Sequence, residues 1–168
     1  MGKHILEILS YINLNKAIAL AQAHVEHINQ NLQAPDDYKY VLGAPVQYVH
    51  CYYFDYQVQY KFELSQDQWS MFTGAPGFVV NRKNGLLKTI SWSELPQLPE
   101  QSALWQRNQA LAVQLARNPI TLATLRRYLP LPLPELVAFY IQLRRVDIPA
   151  HQKAAIILAQ LMRGTGIE

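Results

Sequence analysis

The sequence predicts an α+β fold: N-terminal helices packed on a roughly four-stranded antiparallel sheet, followed by a C-terminal helical bundle. Three observations carry this. Residues 46–63, VQYVHCYYFDYQVQYKFE, place Val, Tyr, His or Phe at every even position from Val46 to Phe62, and a period of two is the mark of a strand with one buried face. Ahead of that run lies a stripe at helical spacing, Ala17, Ala21, Val25, Ile28 and Leu32. Behind Pro96 and Pro99 the composition turns to helix formers. Helix, then strands, then helices is the order of an α+β chain.

Length and composition set the outer bounds. The chain has 168 residues, half of them hydrophobic and 16% charged, enough for a substantial core and too apolar for a disordered tail. The division expected is a sheet domain over 1–98 and a helical extension over 99–168. The net charge of +3 is uneven: residues 100–168 hold eight Lys/Arg against four Asp/Glu, whereas 1–99 hold seven against eight. That excess is too sparse for the dense basic stripe of a nucleic-acid binder. The single cysteine, Cys51, has no disulfide partner in the chain, which suits a reducing compartment. The opening MGKHILEILSYINLNK has no signal-peptide pattern, and no apolar run is long enough for a membrane span. The expectation is a cytoplasmic protein without membrane or cofactor.

Taken in order, 3–12 reads as a short helix on Ile5, Ile8, Leu9 and Ile12. Asn13 and Asn15 are candidate N-caps for a second helix to about Leu32. Pro35 closes that helix, and Tyr38–Leu42 reads as a short strand. The aromatic run is far longer than an ordinary strand of about 5–6 residues, so it has to bend, bulge or break, with His50–Tyr53 the place. After Glu63, a loop is expected to tuck Trp69, Met71 and Phe72 inward. Phe78–Val80 and Leu86–Ile90 then read as strands joined by Asn84-Gly85, which supplies positive φ angles to a hairpin. Further on, helices are expected over 101–117, from the Asn118-Pro119 cap to about Tyr128, over 134–145 after LPLPLPE, and from Pro149 to about Arg163.

Candidate chemistry is thin. His24 and His27 stand at i, i+3 without an HExxH motif or a third ligand at a matching spacing. His50 and Cys51 are adjacent, so on a regular strand they point to opposite faces and cannot work as base and thiol; Cys51 reads as a buried small hydrophobe. No nucleophile elbow, P-loop or dinucleotide fingerprint is present. The chain therefore reads as a non-enzyme with no catalytic, metal or cofactor-binding residues. Two surfaces remain as partner-binding candidates. One is the polar face of the long strand: Tyr53, Asp55, Gln57, Gln59, Lys61 and Glu63. It reads equally as a solvated sheet face or as a protein-binding surface. The other comprises the doublets Arg126-Arg127 and Arg144-Arg145. They suit phosphate or an acidic partner, but favourable pairing with helix C-terminal carbonyls is the preferred account of them.

The segment Gly74-Ala75-Pro76-Gly77-Phe78-Val79-Val80-Asn81-Arg82-Lys83-Asn84-Gly85, with the preceding helix NKAIALAQAHVEHIN and the strand FDYQVQYKF, resembles the YrhB-like family, also known as immunity protein 35. The resemblance covers about residues 14–95, with Tyr52-Tyr53 where the family often has a tryptophan; residues 100–168 lie outside it. It implies a small cytoplasmic protein that binds a cognate secreted toxin and occludes its active site, with no catalytic motif to carry over. The alternatives are an adaptor or chaperone module for a secreted effector or peptide and, less favoured, a basic tyrosine-rich nucleic-acid binder.

Overall fold

The computed structural model describes residues 11–33, 35–58, 76–163, 165 and 167. It divides the chain into two compact units, residues 11–102 and residues 103–168. The expected α+β class holds: the described residues form five α-helices and two antiparallel sheets.

In the first unit, α1 spans Leu14–Leu32. Asn13 caps it, its Oδ1 accepting the Lys16 N–H at 2.9 Å; of the helix expected over 3–12, residues 11 and 12 are not helical and 3–10 lie outside the described residues. The buried side of α1 is Ala17, Ala21, Val25 and Asn29. The stripe thus continues to Asn29, while Leu32 is exposed. Asn29 is satisfied by the backbone of Tyr40: its Nδ2 donates to the carbonyl at 2.9 Å and its Oδ1 accepts the N–H at 2.8 Å. That pair imitates a strand ladder and pins β1 (Tyr40–Leu42) to the helix.

The aromatic run is not one strand. It contains β2 (Val46–Gln47), β3 (Cys51–Phe54) and β4 (Tyr56–Val58). β2 folds back on β3, pairing Val46 with Tyr53 and Gln47 with Tyr52, so Val49-His50 is the two-residue connection of a hairpin closed by Tyr48 N–H on the Cys51 carbonyl at 2.9 Å. After Asp55 the chain changes sheets, and β4 pairs with β1 through Tyr40–Val58 and Leu42–Tyr56. The larger sheet has the order β2-β3-β5-β6, with β5 at Phe78–Asn81 and β6 at Leu87–Thr89.

Valine and histidine are poor turn residues, and neither has positive φ here. The hairpin closes because neighbours satisfy its backbone. Arg82 Nη1 donates to the Tyr48 and Val49 carbonyls at 3.0 and 3.4 Å. The Arg82 N–H reaches the His50 carbonyl at 3.0 Å, and the Val49 N–H donates to Ser102 Oγ at 3.0 Å. The β5–β6 turn also departs from expectation. Only Gly85 has positive φ, and Asn81 Oδ1 builds the bend by accepting the N–H groups of Lys83 and Asn84.

Both faces of the larger sheet are covered. On one, Tyr52, Phe54, Phe78 and Val80 pack with Ala17, Ala21 and Val25 of α1; the small alanines let the helix approach the aromatic rings, and Phe54 stacks on Phe78 at 5.7 Å. On the other, Cys51, Tyr53 and Val79 pack with Ile90, Leu95 and Leu98. Gly77 sits at the start of β5 with φ +92°, where a Cβ would lie 2.4 Å from the Phe54 carbonyl oxygen, so only glycine fits.

In the C-terminal unit, α2 (Leu98–Arg117) enters across the division at Ser102. α3 is Leu122–Tyr128. Its cap is Thr121, whose Oγ1 accepts the Thr124 N–H at 3.1 Å, and not the expected Asn118-Pro119. α4 (Leu133–Leu143) packs on α3, and α5 is Ala150–Met162. Leu125, Leu129, Leu136, Leu143, Ile157 and Leu158 are buried.

Candidate functional site

The polar row of the long run does not form one solvated face. Tyr53 is half-buried and its hydroxyl donates to the Pro76 carbonyl at 2.9 Å; burial, helped by Asp55 and Tyr48, pushes its pKa up to about 12. Asp55 is half-buried and accepts Gln57 Nε2 at 3.3 Å. Gln57 is only 5% exposed, which corrects its expected place on a partner-binding surface. The reason is the break at Asp55: the chain leaves the larger sheet there, and β4 turns Gln57 inward against β1. Gln59, Lys61 and Glu63, like Trp69, Met71 and Phe72, lie outside the described residues.

The interior around the Val49-His50 turn is rich in polar groups yet poorly suited to catalysis. Burial pushes the Cys51 thiol up to about 12, with Arg82 opposing the shift, so the nucleophilic thiolate is scarce at neutral pH. The His50 pKa is lowered, first by burial; a hydrogen bond with Gln101 raises it and Arg82 lowers it further. The Arg82 guanidinium lies over the rings of Tyr11 and Tyr52, 4.9 and 5.1 Å from their centroids. Its geometry suits a clamp on the turn. His24 packs edge-on against Phe78 at 4.9 Å, and His27 Nε2 lies 3.0 Å from Asn31 Nδ2. Among the described residues, no three His, Cys, Asp or Glu side chains cluster as metal ligands do.

The four arginines belong to the C-terminal unit and are exposed. Arg126 and Arg127 stand in the last turn of α3, where the helix dipole favours cations. Arg144 caps α4 and reaches back to Tyr140, its Nη1 3.2 Å from the hydroxyl and its guanidinium 5.7 Å from the ring centroid. Arg145 forms a two-pronged ion pair with Asp147 at 2.7 and 3.0 Å.

Between these doublets lies a feature that the sequence reading missed. α4, LPELVAFYIQL, carries a single charge, Glu135. Its buried side is Leu136 and Leu143, and the other side is exposed at Leu133 (55%), Val137 (36%) and Ile141 (63%). These three recur at i, i+4, i+8 and so form one ridge; Arg144, three residues past Ile141, extends it. The legible signal was the near absence of charge around the helix, which in a water-facing element marks a surface awaiting cover. In the same unit, Leu111, Leu115, Pro119, Ile120, Leu125 and Tyr128 line a groove of about 170 Å³.

Comparison with family models, curated proteins and solved structures found no match for this chain.

Proposed function

We propose that this protein is a non-enzymatic immunity protein that binds a cognate bacterial toxin in the cytoplasm and neutralises it by occluding its active site. The observation that carries the reading is the uncovered ridge Leu133–Val137–Ile141 with Arg144 at its end. A contiguous apolar patch edged by charge is what a protein-binding surface requires. The resemblance of residues 14–95 to the YrhB-like family supports the same reading, and the chemistry of Cys51 and His50 offers no competing catalytic site. Inhibition by occlusion needs only a rigid projecting surface. The helices beyond residue 99, which have no counterpart in the resemblance, carry the exposed ridge that this reading uses.

An adaptor for a secreted effector would use the same ridge and is the second reading. Neutralisation separates them. Co-expression with the product of the gene immediately upstream tests both: an immunity protein restores growth and co-purifies with that product. An adaptor binds without restoring growth, and absence of both overturns the two readings together.

A further inference from the structure

We propose that the α4 ridge docks an acidic amphipathic helix of the partner, an apolar stripe flanked by carboxylates; this rests on the partner-binding reading and names the chemistry of the surface recognised. The ridge is short. α4 has 11 residues, about 16 Å at 1.5 Å per residue. Three aliphatic side chains, 36% to 63% exposed, fall short of the ~600 Å² per partner at the lower limit of a stable interface. An occupant therefore has to engage more than the ridge, and the residue at its C-terminal end, Arg144, is cationic.

Segment 126–147 holds Arg126, Arg127, Arg144 and Arg145 against Glu135 and Asp147. Only Arg145 has a carboxylate partner among the described residues, namely Asp147. Arg144 is held against Tyr140, its guanidinium already oriented beside the ridge. Orientation in advance lowers the entropy lost on binding, and a guanidinium grips a carboxylate with two parallel hydrogen bonds. Glu135 sits two residues from both Leu133 and Val137, off the ridge, so it does not neutralise that side. A second copy of the chain brings the same arginines to the interface, and like charges facing each other oppose association. A phosphate backbone would satisfy the arginines but leave the aliphatic ridge uncovered.

The probe is a synthetic helix with a leucine stripe flanked by glutamates, titrated into the full chain, with a lysine-flanked twin as control. The glutamate peptide should bind and the twin should bind about tenfold more weakly or not at all, with the difference shrinking as salt is added. Ile141→Glu and, independently, Val137→Asp should each lower affinity about tenfold while leaving the melting temperature unchanged, since both side chains are exposed. Equal binding of the two peptides, no binding, or unaltered affinity of both variants overturns the proposal. So does a dimer dissolved by Ile141→Glu, which gives the ridge to a second copy. Growth rescue by wild type and Ile141→Glu alike would sink this docking mode and leave the immunity reading standing; peptide binding without rescue would do the reverse.

Discussion

Asn29 shows how one side chain can fix a sheet edge. It is buried on α1, and its amide meets both backbone groups of Tyr40. Asn29→Ala removes both partners at once and leaves buried polar groups unpaired, a loss of about 2–3 kcal/mol. Urea unfolding measures it, and a change below about 0.5 kcal/mol would mean that water replaces the amide. His50 gives a pH dependence. Burial lowers its folded pKa below the ordinary 6.5, so in that range the unfolded chain binds more protons than the folded one. Stability is complete above about pH 6.5 and falls as pH drops toward the folded pKa. The His24 pKa is lowered too, by burial and by His27, so wild type should lose stability on acidification through both. His50→Asn should flatten the dependence between about pH 7 and pH 5; an unchanged slope assigns the effect elsewhere. Glu94 acts in the same sense at lower pH, its contribution being lost as pH falls through the folded pKa. The Ser91 N–H and Lys88, at 2.7 and 2.9 Å, help hold its carboxyl down at about 2.

Among the elements, helices were more legible than turns. The Asn13 cap, the course of α1 and the positions of β5 and β6 follow from residue type and period, because capping and core-facing periodicity act locally. The aromatic run failed as a single strand because Val49-His50 carries no turn chemistry. Its turn is closed by Arg82 and Ser102, 33 and 53 residues away, and a local reading cannot see such partners. Asn118-Pro119 misled for the opposite reason: its local signal was strong, yet Thr121 holds the cap. The Ser91-x-x-Glu94 capping box, with Ser91 N–H on Glu94 Oε2 at 2.7 Å, was readable and went unread. The candidate site divides the same way: the arginine doublets were visible as residues, whereas the exposure of Leu133, Val137 and Ile141 depends on which side of α4 the fold covers. If tertiary contacts close the hairpin, Ser102→Ala should orphan the Val49 N–H and cost about 1–2 kcal/mol. Denaturation midpoints test this. A neutral result would make the hairpin self-sufficient.

For the whole molecule, the proposed recognition rests on the C-terminal unit, because the sheet row is partly buried and the α4 ridge is exposed. That unit carries the chain's net positive charge, and no helix among the described residues is long and apolar enough to cross a membrane. The exposed ridge on α4 is the surface that the proposed protein partner would cover. The most direct measurement is a titration of the activity of the proposed toxin, the product of the gene immediately upstream, with the purified full chain. Occlusion predicts a linear fall that reaches its floor at one equivalent, with both proteins recovered intact in a complex. Loss of activity at a small fraction of an equivalent would reveal catalytic turnover, and full activity at several equivalents would remove neutralisation; either contradicts the account.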